Sequence, residues 1–319
     1  HRDLHSFPTR RSSDLKIPDF SSFMKPNHDL GDMDIFWWEN NSSIGHSELD
    51  RLNAEINISK FQLTLGRQRI AWGTALVWNP TDIFNPMSIL DFDYEERPGV
   101  DALRAQYYLS EVSKIELAVK PSDRSENRII AAKLLQNRWS YDFHFLFGFR
   151  GSLPIVSFNW AGDIAGAGFR GEIFSAKISD NYFNELMGVN NKWSTSLSLS
   201  FDYTFPNTLY LHTEFLYNNL GLADNYETSQ FYITTLKLLT AARYSIYQEV
   251  SYEIHPLLRE NTFIIFNPSD KSYVFVPSLT WSAFENFDLM LISMIAGGSE
   301  KTEYGDYGTS LFARIKYSF

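Results

Sequence analysis

Residues 193–204 read WSTSLSLSFDYT, and the order of side chains in them decides the fold. The odd positions are Trp193, Thr195, Leu197, Leu199, Phe201 and Tyr203; the even ones are Ser194, Ser196, Ser198, Ser200, Asp202 and Thr204. Successive side chains of a strand point to opposite faces, so one face is apolar with aromatic residues at both ends and the other is polar. A strand in a soluble sandwich also alternates, but it is usually nearer ~5–6 residues long. About ten residues with aromatic ends suit a tilted strand that crosses a bilayer between two aromatic girdles.

The pattern spreads in both directions. Tyr141, Phe143, Phe145, Phe147 and Phe149 alternate with polar or small residues, as do Leu209 to Tyr217 and Tyr244 to Ile254. Tyr273, Phe275, Leu279 and Trp281 share a face with Pro277, which predicts a local bulge because proline cannot complete a ladder. The alternation predicts strands at 49–58, 61–69, 100–110, 113–120, 128–136, 138–149, 155–161, 165–175, 193–204, 207–217, 241–254, 258–267, 271–282, 287–297 and 306–319. Asp32 to Trp38, DMDIFWW, would be a sixteenth. Short turns at Ser59-Lys60, Glu111 to Ser113, Gln136-Asn137, Gly162 to Ile164, Phe205 to Asn207, His255-Pro256 and Phe284 to Asn286 alternate with the segments 70–99, 121–127, 150–154, 176–192, 218–240, 268–270 and 298–305. Transmembrane barrels alternate short periplasmic turns with longer external loops in this way. The fold class is therefore all-β, an antiparallel transmembrane β-barrel of about 16 strands. Trp193, Tyr217 and Tyr273 are expected near its outer girdle, and Tyr203, Trp281, Tyr317 and Phe319 near its inner one.

Composition agrees. The chain has 319 residues, 44% hydrophobic and 16% aromatic, yet no apolar run approaches the ~18 residues of a spanning helix. A slightly negative mean hydropathy fits strands that alternate lipid-facing and lumen-facing residues. A net charge of −10 without a basic patch speaks against nucleic acid as a partner. The absence of cysteine is compatible with an oxidising envelope.

The two ends differ in kind. The last strand, TSLFARIKYSF, places Leu311, Ala313, Ile315, Tyr317 and Phe319 on one face. An alternating strand that ends on Phe resembles the C-terminal assembly signal of bacterial outer-membrane proteins, whose unpaired edge an assembly machine can bind by β-augmentation. The first fifteen residues, HRDLHSFPTRRSSDL, have no initiator Met and no apolar core of a signal peptide. His5 to Leu15 reads as one frame of a common sequencing adapter fused to a truncated gene fragment. Residues 1–15 are then a non-native segment, 16–319 the barrel, and the signal peptide is expected upstream of what is present.

Gly66-Arg67-Gln68-Arg69-Ile70-Ala71-Trp72-Gly73, then Trp78-Asn79-Pro80-Thr81-Asp82 and Asn85-Pro86, resembles a poorly characterised group of porin-like outer-membrane proteins similar to alginate-export-type barrels. Ala161 to Glu172, AGDIAGAGFRGE, shares the likeness, as more loosely does the chain from about residue 45. The resemblance implies a barrel, an outer membrane and solute passage, with no substrate and no functional residue to carry across.

Candidate pore residues follow from the faces. Strict alternation from Phe61, Leu63 and Leu65 would put Arg67 and Arg69 in lipid, at ~2–4 kcal/mol each at mid-bilayer; a bulge at Gly66 would turn both into the lumen. There they would form a basic element of the constriction; alternatively they leave the membrane at the outer rim or pair with Asp82, Asp91 or Asp93. Segment 70–99 is too apolar, with Trp72, Trp78, Ile83 and Phe84, to stand in water, so it is expected to fold over or into the barrel mouth. Among the lumen-facing charges, Arg104, Glu116, Arg170, Glu172, Glu214, Arg243 and Glu249 are candidates for contact with solutes, against the plainer reading of paired wall residues. Inward-facing His144 and His212 leave an enzyme of lipase or protease type as an alternative, but no compact nucleophile–base motif, phosphate loop or metal-ligand cluster is visible. A plugged receptor would need an N-terminal plug and typically ~22 strands. The expected function is passive passage of small hydrophilic solutes, with the lipid bilayer and the barrel-assembly machinery as partners and no cofactor; a polysaccharide-export barrel is the other alternative.

Overall fold

The computed structural model describes residues 34–39, 44–86, 90, 99–179, 193–224, 226 and 229–318. Residues 1–15, Asp91, Asp93 and Phe319 lie outside that set. A two-stranded ribbon, β1 (Asp34–Glu39) with β2 (Ile44–Glu48), stands apart from the main sheet. Fifteen strands make that sheet: β3 (Leu52–Ile58), β4 (Phe61–Gln68), β5 (Val100–Ser110), β6 (Ser113–Lys120), β7 (Ile129–Arg138), β8 (Tyr141–Arg150), β9 (Leu153–Ile164), β10 (Ala167–Lys177), β11 (Trp193–Thr204), β12 (Tyr210–Asn218), β13 (Tyr244–His255), β14 (Leu258–Phe266), β15 (Tyr273–Phe284), β16 (Phe287–Gly297) and β17 (Thr309–Tyr317). Each pairs antiparallel with its neighbours in chain order, and among the described residues β3 and β17 are the two edges.

The sheet is polar inside and apolar outside. Leu103, Leu117, Phe145, Phe147, Ile173, Phe201 and Leu291 are exposed on one face, Phe147 by 54%. On the other, Ser194, Ser196, Ser198, Ser200, Asn159, Glu172, His212 and Glu214 are buried. A soluble sandwich would bury the first set and solvate the second. Such an inversion is stable where the outward side meets hydrocarbon. Backbone polarity is no obstacle there, because adjacent strands satisfy each other's N–H and C=O groups.

All the short turns lie at one end, at 59–60, 111–112, 139–140, 165–166, 205–209, 256–257 and 285–286. The other end carries 69–99, 121–128, 151–152, 178–192, 219–243, 267–272 and 298–308. Trp193, Tyr217 and Tyr273 stand near this long-connection end; Tyr203, Trp281 and Tyr317 stand near the short-turn end.

Several expectations need correction. The turns placed at 136–137 and 162–164 fall instead at Trp139-Ser140 (φ 55° and 61°) and Ala165-Gly166 (φ 54° and 86°). Two successive positive φ values mark tight hairpin turns whose twist matches the strands. The connection placed at 150–154 is only Gly151-Ser152. Asp32 to Trp38 adds no sixteenth strand to the sheet; its described part pairs with β2, and the indole of Trp37 donates to Ser47 Oγ at 2.8 Å. Pro277 makes no bulge: the ladders on both sides keep their register across it, because a missing N–H removes a bond without adding a residue. Gly66 makes none either, and its partners Asn53 and Ala102 stay in step. It does have φ +115°, and a Cβ there would collide with the carbonyl of Leu52, so glycine is required.

Several of the long connections pack on one another. In 219–243 a helix, α1 (Ser229–Leu236), brings Tyr232 and Leu236 onto Ile178, Leu220, Leu238, Ala241 and Ala242. Half-buried Glu303 ties three connections together. Its Oε1 accepts from Ala242 N at 3.2 Å, its Oε2 from Asn267 Nδ2 at 3.1 Å, and its own N–H donates to Asp270 Oδ2 at 2.8 Å.

Candidate functional site

The described stretch 70–86 leaves β4 and crosses the inner face of the sheet. Trp72, Ile83 and Phe84 pack against Ala118, Ala131, Leu146, Ile155 and Phe174, on β6 to β10. Trp78 packs against Leu216, Tyr247, Phe263 and Val276, on β12 to β15. One short segment can touch both groups only if the sheet curls around it. The Trp72 ring finds specific partners: it meets Phe84 edge-on at 4.9 Å, and Lys133 Nζ lies over its face, 5.3 Å from the centroid.

Turning back on itself inside the sheet, the segment has backbone N–H groups that no strand can satisfy. Wall carboxylates accept them. Glu172, from β10, takes the N–H groups of Thr74, Ala75 (3.0 Å) and Thr81 (3.0 Å). Glu214, from β12, takes those of Val77 (3.1 Å) and Trp78 (2.5 Å). Glu116, from β6, accepts the indole N–H of Trp72 at 3.1 Å. Asp82 folds the segment on itself, accepting from Trp72 N at 2.5 Å and Gly73 N at 2.6 Å. The hydroxyl of Thr81 completes the anchoring, donating to Asn159 Oδ1 at 2.9 Å. Charge-assisted bonds of this kind are about twice as strong as neutral ones.

The remaining sequence candidates separate. Arg104 joins Glu116 through Nε at 2.9 Å, with Lys114 at 2.9 Å and Lys133 at 3.5 Å from the same carboxylate. Arg170 pairs with Asp202 across β10 and β11. Arg67 does not turn into the enclosed space. It is buried at the long-connection end, where Nε reaches Asp101 Oδ1 at 3.1 Å and Nη1 donates to Leu49 O at 3.2 Å. Asp101 is one residue out of step with inward-facing Val100, Ala102 and Arg104, so the pair keeps outward parity. Arg69 is exposed. Arg243 precedes β13, on the connection rather than the wall, and donates to Gly221 O at 3.3 Å. Leu311, Ala313, Ile315 and Tyr317 share the outward face of edge strand β17.

His212 lies at the centre of a cluster that no local motif announced. Its Nδ1 faces Glu249 Oε2 at 3.2 Å; its Nε2 faces Ser200 Oγ at 3.1 Å and Glu214 Oε2 at 3.3 Å. Ser, His and Glu stand in the order of an acyl-transfer triad. However, Ser200 is 0% exposed, and a nucleophile must meet its substrate carbonyl, so the cluster acts as a wall network.

A curled antiparallel sheet, apolar outside and polar inside, with one connection folded across its inner face, is the architecture of a porin-type barrel. No known family profile matches the chain, and no curated protein matches it in sequence. Its fold is nonetheless similar to solved structures of Occ/OprD-family outer-membrane porins. OccK10 (OpdN) of Pseudomonas aeruginosa matches with TM-score 0.55 at 11% identity, over 83% of this chain and 82% of that one. OccK5 (OpdH) of the same organism matches with TM-score 0.54 at 9% identity, over 87% and 82%. Its OccD3 (OpdP) matches with TM-score 0.53 at 8% identity, over 86% and 77%. These likenesses concern the fold. They speak for the porin-like part of the resemblance and not for its alginate-export part.

Proposed function

We propose that this chain is an outer-membrane channel for passive passage of small hydrophilic solutes, with residues 70–86 as its constriction. One observation carries the reading: a segment is strung across a polar, enclosed face by carboxylates on β6, β10 and β12, while the opposite face is apolar. A core alone would need no polar wall, and a wide duct would need no crossing segment. Selection then rests on the segment and on wall charges left in water, since a solute must bind weakly enough to leave. Arg67 and Asp101 fasten the segment's root rather than meeting solute. The bilayer is the partner of the outward face, and the edge of β17 is what the assembly machinery would pair with.

Planar-bilayer recording of the refolded protein tests this. The channel reading expects discrete single-channel steps, larger in a Glu172→Gln, Glu214→Gln double variant whose segment is loosened. Folded protein that inserts yet passes no ions would overturn it.

A further inference from the structure

A cavity of about 480 Å³ opens between β11, β12, β13 and β14 at the short-turn end, lined among others by Phe205, Tyr210, Glu249, Ser251, Glu253 and Asn261. We propose that it is a subsite for small organic ammonium ions; the proposal refines the channel reading by naming a class of solute.

Hydrogen-bonding capacity decides what the wall can hold. A carboxylate offers about four acceptor positions. On Glu249, Oε2 accepts from His212 Nδ1 at 3.2 Å and Tyr247 OH at 3.1 Å, and Oε1 accepts from Asn261 Nδ2. That fixes the carboxylate, which lines the cavity, and leaves Oε1 with one acceptor position to spare. Asn261 has spent an amide N–H on Glu249 and keeps its carbonyl oxygen. Ser251 spends its proton on Glu260 O at 3.0 Å and keeps its lone pairs. Glu253 takes one bond, from Arg259 Nη2 at 2.8 Å. The hydroxyls of Thr204, Thr208 and Tyr210 and the second amide N–H of Asn261 can still donate, so the bias of the wall towards accepting rests on its two carboxylates, Glu249 deep and Glu253 nearer the opening, while Phe205, Pro206 and the Tyr210 ring supply apolar surface for an alkyl chain. Arg259 is the one guanidinium in the lining. It is 62% exposed and already paired.

A donor-rich cation with a short apolar tail satisfies this wall; a carboxylate would bring further acceptors to a lining where Glu249 and Glu253 already present theirs. A metal ion fits less well. Glu249 and Glu253 are four residues apart on one strand, about 13 Å between Cα atoms. Among the described residues no group of three His, Cys, Asp or Glu converges as a metal site. The deep carboxylate also connects onward: His212 joins it to Glu214, which holds the segment at Val77 and Trp78. An occupant thus touches the hydrogen-bond chain that fastens the constriction.

The test is titration of the full chain, refolded in detergent micelles, with n-butylammonium, butyrate and butanol, followed by saturation-transfer NMR. Butylammonium should bind and the other two should not. Glu253→Gln should weaken its binding roughly threefold, and Arg259→Gln should tighten it by a similar factor, since each changes one nearby charge in a wet site. Both residues are exposed, so neither variant threatens folding; Glu249→Gln should abolish binding if it folds. Butyrate binding as tightly as butylammonium, or indifference of both exposed variants, would overturn the assignment. Conductance is recorded separately. Binding without conductance would sink the channel and keep the subsite, and conductance without binding would do the reverse.

Discussion

Glu172 shows how much one side chain can decide. Its fully buried carboxylate gathers three backbone N–H groups from a segment about a hundred residues earlier in the chain. Glu172→Gln keeps the shape but turns an amide N–H₂ towards those donors. The expected loss is about 1–3 kcal/mol, read as a lower urea midpoint in micelles. Glu303, on the connection 298–308, behaves differently because the cost of desolvation outweighs its hydrogen-bond donors. Desolvation, aided by Asp270 and opposed by the Ala242 N–H, pushes its carboxyl from the ordinary 4.5 up to about 8. The folded state therefore holds a proton that the unfolded state releases. Its contribution to stability is complete below pH 4.5 and falls as pH rises towards 8, where the loss is complete. The loss should be on the order of a few kcal/mol, seen in pH-dependent melting and absent in Glu303→Gln.

At the level of elements, sequence periodicity showed the strands well and their ends poorly. β11 is legible because its outward and inward residues differ at every step. The turn Trp139-Ser140 is not, because a tight hairpin can be closed by residues that look like strand. Both carry positive φ, so Ser140→Gly should stabilise the β7–β8 hairpin by about 0.5–1 kcal/mol, measurable as a raised unfolding midpoint. The crossing of the lumen was foreshadowed by the tryptophans of 70–86, which need shelter from water. Their anchors were not legible: Glu172 and Glu214 sit on strands whose alternation marks them only as inward. What they meet depends on contacts 98 and 136 residues away, which no local pattern records. The same holds for Ser200, His212 and Glu249. Replacing residues 76–85 with a short Gly-Ser link should enlarge single-channel conductance. Unchanged steps in the folded variant would make the segment a lid.

For the whole molecule, inverted polarity means that stability depends on the solvent outside. Phe145, exposed near the middle of β8, faces hydrocarbon in a bilayer. Phe145→Arg should cost ~2–4 kcal/mol when folding is measured in lipid vesicles, where charge at mid-bilayer is most expensive, and far less in water-rich micelles. Strand direction has a topological consequence. Fifteen strands, each reversing the one before, leave β3 and β17 pointing the same way. A seam made directly between them would be parallel, with slanted bonds and rising register numbers on both sides. An antiparallel seam would need an odd number of further strands between them. Pairwise cysteine cross-linking of inward positions on β3 and β17 would reveal which geometry the closed wall has. In a parallel seam, the productive partner of Asn53, Glu55 and Asn57 would climb from Ser310 towards Lys316 in the same order; with strands interposed, none of these pairs would link.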